Sequence, residues 1–114
     1  MAAIFGMVMS GWPLLAQAHI HMEHSTPAKD AVLTVAPQTV QLSFNGKISA
    51  EWAKIEVTDA QGRRVDDGKV INSDDPKQIQ IGLPGIAAGI YEVKWSAVSG
   101  DGHRVKGTFT FTVK

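Results

Sequence analysis

Alternation between apolar and polar residues is the feature of this sequence that most restricts its fold. Two long runs, 91–97 and 105–113, carry an apolar residue or glycine at every second position. Shorter runs with the same period lie at 40–44, 55–58 and 79–83. Successive side chains of a β-strand point to opposite faces, so a period of two predicts strands with one buried face and one solvated face.

Turn-forming dipeptides separate these runs, with Asn-Gly at 45–46, Pro-Gly at 84–85 and Ala-Gly at 88–89. The pattern gives about seven short strands and no convincing helix in the region that follows residue 18. It predicts an all-β fold, a small antiparallel β-sandwich with an immunoglobulin-like Greek-key layout. Trp95, together with Phe109 or Phe111, is expected in its core, whereas Trp52 could lie in the core or on the surface.

Adjacent carboxylates occur at 66–67 and at 74–75. The first pair is followed by Gly68 and is expected to connect a hairpin whose arms contain Val65 and Val70. Both pairs are interpreted as turn chemistry and not as a catalytic acid and base. Their spacing is also too irregular for a calcium-binding loop.

The charge balance and the absence of cysteine exclude several classes of function. Lys plus Arg number 11, and so do Asp plus Glu. A nucleic acid or a polybasic membrane contact needs a positive surface, so we expect neither. Without cysteine there is no disulfide, no thiolate metal site and no thiol nucleophile. A serine in a Gly-x-Ser-x-Gly elbow is absent as well, and we expect no enzymatic nucleophile.

The first 18 residues are interpreted as an export signal peptide. Residues 2–15 are uncharged and form an apolar run that is too short for a spanning helix. The Ala-Gln-Ala at 16–18 is a small-x-small site of the kind that signal peptidase cleaves. No Lys or Arg precedes the run, so we expect either a start farther upstream or an atypical n-region. An N-terminal membrane anchor or a buried first helix is the alternative. Removal of 1–18 leaves one domain, 19–114, without a membrane span.

Histidines are concentrated directly after this predicted cleavage site. His19, His21 and His24 fall within six residues. Cleavage after residue 18 makes His19 the first residue, so its free amine and its imidazole can chelate one metal ion. A cut one residue away in either direction would remove that chelate. The alternative is an exposed N-terminal tail whose histidines bind nothing.

A second pair of donors, Asp101 and His103, lies in a glycine-flanked loop. If that segment is extended, residues two apart point the same way. Together with His19 they would supply three nitrogens and one oxygen, and such a set in a near-planar arrangement favours Cu(II). The alternative is a solvated turn in which Asp101 caps a backbone N–H.

The N-terminus also offers a competing copper site of its own. A free amine followed by histidine at the third position can bind Cu(II) or Ni(II) through the amine, two deprotonated amides and the imidazole of His21. This mode would use the same amine as the His19 chelate and would leave Asp101 and His103 unused. We favour the His19 mode because a folded domain can bring the loop to it.

Several short segments of 19–114 together form a recognisable pattern. They are His19 after Ala-x-Ala, Ser-Thr-Pro-Ala at 25–28, Gly-Ile-Tyr-Glu-Val-Lys-Trp at 89–95, Ser-Gly-Asp-Gly-His at 99–103, Gly107 and Phe-Thr-Val at 111–113. With these segments, 19–114 resembles the CopC family of periplasmic copper-binding proteins. It implies an immunoglobulin-like or cupredoxin-like sandwich that binds Cu(II) through an N-terminal histidine and a loop Asp and His. Carried over to this sequence, the ligands are His19, Asp101 and His103.

The sequence departs from the family pattern in two places. Some members carry a second, methionine-rich Cu(I) site, but after residue 18 this chain has only Met22, so we expect it to bind Cu(II) alone. An acidic residue that the family carries after an early Phe-Ser is replaced here by Asn45. His21 and His24 are additional imidazoles that could serve as accessory donors.

The resemblance implies a copper carrier or buffer in the periplasm, which acts in copper homeostasis or resistance and binds one Cu(II) without catalysis. We expect a monomer that hands copper to an inner-membrane importer. One alternative is a copper-dependent oxidative enzyme with an N-terminal histidine chelate, although a carboxylate would fill one copper position here. The other is a metal-free β-sandwich interaction module.

Overall fold

The computed structural model describes residues 20–114, which form eight β-strands and one turn of 3₁₀-helix. The strands are β1 (Met22–Thr26), β2 (Val32–Leu33), β3 (Thr39–Phe44), β4 (Lys54–Thr58), β5 (Ile71–Asn72), β6 (Gln78–Gly82), β7 (Gly89–Val98) and β8 (Arg104–Val113), and the 3₁₀ turn is Ala50–Trp52. None of the helical structure in this range is long and apolar enough to cross a membrane. The predicted signal peptide, 1–18, lies outside the described residues.

The strands form two four-stranded sheets. The first sheet has the order β1-β3-β6-β5 and is antiparallel throughout. The second has the order β2-β8-β7-β4, in which only the short β2 runs parallel to its neighbour. The chain changes sheet repeatedly, as between β3 and β4, and the predicted all-β sandwich is confirmed.

The alternating side chains of both sheets meet in one core. The buried apolar residues are Val40, Leu42, Phe44, Ile48, Ile55, Val57, Ile79, Ile81, Leu83, Tyr91, Val93, Trp95, Ala97, Phe109, Phe111 and Val113. Phe44 and Trp95 join the two sheets in an edge-to-face ring contact with centroids 5.4 Å apart. The sequence prediction of Trp95, Phe109 and Phe111 as core residues is confirmed, whereas Trp52 is 62% exposed.

Gly107 provides the space that the Trp95 indole occupies. The two residues are cross-strand partners, and a Cβ added to Gly107 would stand 2.9 Å from the indole. Real Cβ atoms do not approach a ring so closely, so a larger residue here would displace Trp95. The large aromatic and the glycine therefore pack as a pair.

The predicted hairpin around 66–67 is wrong. The chain between β4 and β5 crosses from the second sheet to the first, and only Arg64 makes a bridge to Thr58 within it. The Asp66 carboxylate replaces regular pairing, because its Oδ2 accepts the N–H of Val57 at 2.8 Å and its Oδ1 accepts the N–H of Gly68 at 2.9 Å. The interpretation of these acids as turn chemistry is confirmed.

Strand register brings several segments to one end of the sandwich, which we call the loop end. It contains the β7–β8 connection, because Val98 pairs with Arg104, and the start of β4, because Lys54 pairs with Ser96. The start of β1 lies there too, since Met22 pairs with the last residue of β3. The connections 45–53 and 73–77 complete it, joined by a backbone hydrogen bond from Ile48 to Pro76.

Candidate metal centre

The β7–β8 connection at the loop end is a tight turn closed on itself by hydrogen bonds. Ser99 N–H donates to the His103 carbonyl at 2.8 Å, and Gly102 N–H donates to the Ser99 carbonyl at 3.0 Å. Gly102 has φ +88°, a conformation that glycine adopts without steric cost. The segment 99–103 is therefore a loop, as the sequence predicts, and it is not extended, because the chain reverses direction within these five residues.

The turn nevertheless brings Asp101 and His103 side by side. Oδ2 of Asp101 lies 2.9 Å from Nδ1 of His103, and the two side chains are 62% and 68% exposed. The second carboxylate oxygen, Oδ1, accepts the backbone N–H of His103 at 3.2 Å. Both the predicted pair and the predicted backbone cap exist, and the cap helps to hold the pair in place.

Ser99 is the residue that fixes the carboxylate in this turn. Its hydroxyl donates to Oδ1 of Asp101. The same Oγ lies 3.2 Å from both the N–H and the carbonyl oxygen of His103. In the sequence, Ser99 stands out only as part of the family-like segment 99–103 and not as a functional residue. The signal that could have identified it is its position two residues before an aspartate, a spacing typical of local side-chain turns.

These contacts also set the charge of the site. The Ser99 hydroxyl, followed by the ring and backbone N–H of His103, holds the pKa of Asp101 well below its usual range. A carboxylate that receives several hydrogen bonds stays ionised. A metal ion therefore meets an anionic oxygen here and does not have to displace a proton from it.

The N-terminal part of the predicted site begins beyond the described residues, since His19 is not among them. The next residues are held at the loop end. The His21 N–H donates to Oδ1 of Asn45 at 2.8 Å, and the Asn45 N–H donates to the His21 carbonyl at 3.1 Å. The side chain of Ile20 packs on the core and against Gly46. The chain is thus clamped within two residues of His19.

His21 and His24 are both exposed, and they do not join Asp101 and His103 in one cluster. No group of three His, Asp or Glu side chains suited to a metal ion occurs among residues 20–114. His24 pairs with Ser43, which hydrogen-bonds Gln78 on the outer face of the first sheet. Met22, which lies between the exposed His21 and His24, packs against the core.

A shallow groove of about 740 Å³ lies beside the Asp-x-His turn. It lies between the β7–β8 turn and the connections 47–52 and 72–76. The exposed Trp52 forms part of its wall together with Ile48 and Val98. The loop end therefore presents an open apolar surface next to its two candidate ligands.

Comparison with known proteins identifies the family. The CopC domain model matches residues 22–114. Over 102 residues the chain is 34% identical to Protein YobA of Escherichia coli K12, covering 85% of this chain and 80% of that one. It is also 34% identical to copper resistance protein C of Escherichia coli, in an alignment that covers 99% of this chain and 95% of that one.

A solved structure shares the fold as well. The crystal structure of PcoC, a methionine-rich copper resistance protein from Escherichia coli, is similar with a TM-score of 0.74 and 33% identity, covering 85% of this chain and all of that one. The family match spans every strand described above. The chain therefore belongs to the CopC family of copper resistance proteins.

Proposed function

We propose that the protein is a periplasmic Cu(II) carrier or buffer that works by binding and release without catalysis. One Cu(II) is bound by the amine and imidazole of His19, the Asp101 carboxylate and the His103 imidazole. The observation that carries the proposal is the exposed Asp101–His103 pair at the loop end. Its atoms are 2.9 Å apart, at the same end of the sandwich as the segment that leads back to His19.

The spacing of the pair suits two neighbouring ligands of one copper ion, provided that Cu(II) displaces the Nδ1 proton through which His103 now bonds Asp101 Oδ2. Donor atoms about 2.0–2.1 Å from a metal at adjacent corners of a square plane stand about 2.8–3.0 Å apart. Imidazole nitrogen and carboxylate oxygen are donors that Cu(II) accepts in tetragonal sites. Their exposure leaves the pair accessible for rapid loading and release, as a carrier requires.

The Asn45 clamp argues against the competing site centred on His21. That site needs the His21 amide as a deprotonated copper ligand, yet this N–H is donated to Asn45 Oδ1 at 2.8 Å. Binding there would break the hydrogen bond and pull Ile20 away from the core. The His19 chelate uses only atoms that precede the clamp, so it leaves the clamp intact.

The remaining polar and sulfur donors have lesser roles in this proposal. His21 and His24 act as accessory groups that capture copper near the site. Met22 packs against the core and is the single methionine among residues 20–114, so the described domain has no cluster of thioethers for Cu(I). The protein is proposed to bind Cu(II) alone, to act as a monomer and to pass its ion to an inner-membrane importer.

Electron paramagnetic resonance of the exported protein loaded with one equivalent of Cu(II) tests the ligand set. Mass spectrometry first establishes whether the mature chain begins at His19. The spectrum should indicate three nitrogens and one oxygen and should change in His103→Ala. The matched variant His21→Ala should leave it unchanged. The proposal fails if His103→Ala has no effect and His21→Ala removes the signal, because copper would then occupy the competing site.

A further inference from the structure

Four cations are gathered on the outer face of the second sheet at its loop end. Lys54, Lys94, Arg104 and Lys106 are all exposed. Lys54 and Lys106 flank Ser96 in one cross-strand row, Lys94 lies in the next row, and Arg104 lies in the row beyond Ser96. Lys54 and Lys106 are two strand spacings apart, about 10 Å. We call these four residues the basic face.

Neighbouring acids offset only a small part of the charge of the basic face. Glu56 pairs with Lys94 across the strands, but its carboxylate contacts Arg64 at 3.7 Å. Glu92 lies one row farther from the loop end. None of the ion pairs found within residues 20–114 involves the four cations. A chain whose formal net charge is zero thus carries a local positive surface.

We propose that the basic face docks an acidic surface of a partner protein during copper transfer. This inference rests on the proposed function, because the docking would serve the transfer of copper to the partner. Arg104 directly follows His103, and the strands β7 and β8 that carry three of the four cations lead into the Asp-x-His turn. A partner seated on these strands would have its own copper ligands within reach of the site. Opposite charges would steer it there.

The rest of the same sheet face favours a protein partner over a membrane. Binding in a membrane interface uses apolar side chains beside the cations. On this face the exposed apolar residues are Val32 and Ile90, which share a row through Thr112 at the opposite end. Thr108 lies beside Lys94, and Glu92 and Thr110 form the row between the basic face and the apolar row. The exposed neighbours of the cations along β7 and β8 are therefore polar, which suits a carboxylate-rich protein, and the apolar groove with Trp52 and Val98 borders the basic face only at the loop end.

Titration with an octaglutamate peptide, in the absence of copper, tests the inference directly. We expect saturable binding that weakens strongly as salt rises to about 0.15 M, because exposed charges are screened over about 8 Å. In nuclear magnetic resonance spectra of the labelled protein, the amide shifts should be largest at residues 54, 94–96 and 104–106. Shifts spread evenly over the surface would overturn the proposal.

A charge-reversal variant and a matched control locate the contact. Lys54→Glu with Lys106→Glu should weaken peptide binding at least tenfold, because both residues flank Ser96 and neither faces an acid in its own row. Lys29→Glu with Lys69→Glu makes the same change in net charge away from this face and should weaken binding less than threefold. Equal losses in the two variants would refute a specific face. Thermal unfolding shows whether Lys54→Glu with Lys106→Glu folds. If it does not, the neutral triple variant Lys54→Gln, Lys94→Gln, Lys106→Gln is used in its place.

Two further measurements separate the possible failures. Vesicles containing anionic phosphatidylglycerol replace the peptide, and tighter binding to vesicles than to peptide would overturn the proposal in favour of a membrane. Cu(II) titration of the same variants should give affinities within threefold of the wild type. Loss of peptide binding with intact copper binding supports the basic face. Absence of copper binding in the wild type would refute the proposed function without changing the peptide result.

Discussion

Two aspartates, Asp66 and Asp101, show what separates a structural carboxylate from a candidate ligand in this fold. Both accept backbone N–H groups in turns, and in both the pKa is lowered. The Asp66 side chain is 1% exposed, whereas that of Asp101 is 62% exposed. The types of donor around them also differ, since Asp66 is held by an arginine and Asp101 by a serine and a histidine.

The Asp66 carboxylate is buried, and both of its oxygens accept hydrogen bonds from within the fold. Burial would raise its pKa, but hydrogen bonds from Arg64 and from the N–H groups of Val57 and Gly68 outweigh burial and lower it. Nε and Nη2 of Arg64 lie 3.2 and 2.8 Å from its two oxygens. A metal ion could reach this carboxylate only by breaking these contacts. The acid therefore connects β4 to the crossing segment and serves stability.

The Asp101 carboxylate also accepts a backbone N–H, but its side chain remains exposed to solvent. Its neighbour is an imidazole, which can itself bind a metal, and not a guanidinium, which has no lone pair to offer. Because the pair is exposed, its mutual attraction adds little to folding. An aspartate close to a glycine occurs in both segments and does not distinguish these roles, whereas exposure and the chemistry of the neighbour do.

The largest expected effect is on copper binding in Asp101→Ala. The Cu(II) affinity should fall by at least about 100-fold, because even loss of groups that support a ligand costs roughly 10- to 100-fold. Thermal unfolding of the copper-free protein should be nearly unchanged, since the side chain is exposed. Competition titration against a copper chelator measures the first and calorimetry the second. An unaltered affinity would remove Asp101 from the ligand set.

The reverse outcome is expected for Asp66→Ala. Removing the carboxylate leaves the Val57 N–H without its acceptor and should lower the free energy of unfolding by about 2–3 kcal/mol. For a domain of this size the midpoint temperature should fall by about 10–20 °C. Copper affinity of the folded protein should stay within threefold of the wild type. A large loss of affinity without loss of stability would contradict the comparison.

The pH dependence of stability provides a control for Asp66. A carboxyl whose pKa is lowered on folding adds stability above its unfolded pKa, about 3.9. That stability is lost as the pH falls through the lower folded value. Denaturant unfolding of Asp66→Asn should therefore depend less on pH below about pH 4 than unfolding of the wild type. Equal slopes would show that Asp66 does not carry this linkage.

Most of the fold could be predicted from residue periodicity, because the core strands are long and strictly alternating. The β7 and β8 patterns in particular follow the buried and exposed faces residue by residue. The crossing after β4 could not be predicted in the same way. There the Asp66 side chain accepts backbone N–H groups that would pair with backbone carbonyls in a hairpin. A period-two pattern of apolar residues does not indicate whether a side chain or the backbone accepts such hydrogen bonds.

The candidate site was predictable only in part for a related reason. The proximity of Asp101 and His103 was expected if their segment were extended, and the structure brings them together in a tight turn instead. The Asn45 clamp joins residues 24 positions apart, and no local pattern indicates such a contact. The ligand role of His19 stays a prediction, since that residue lies outside the described part of the chain.

Ser99→Ala should have the next largest effect and sharpens the comparison at the loop end. Loss of its hydroxyl removes the donor to Asp101 Oδ1 and the contacts with the His103 backbone. Copper affinity should fall about tenfold, the lower range for groups that orient a ligand. Ser99→Thr keeps the hydroxyl and should retain most of the affinity. If alanine and threonine behave alike, the hydroxyl does not position the carboxylate.

Asn45→Ala should give the smallest effect, because the Asn45 backbone still donates to the His21 carbonyl. An exposed hydrogen bond contributes about 0.5–1 kcal/mol, so copper affinity should fall about two- to fivefold. Release of the His21 amide should also let copper enter the competing site, which is detectable as a second paramagnetic resonance signal. Asn45→Asp retains a side-chain acceptor and should keep a single signal. If Asn45→Ala also gives one unchanged signal, the clamp does not select between the two copper modes, and the choice must be made by the Asp101–His103 pair alone.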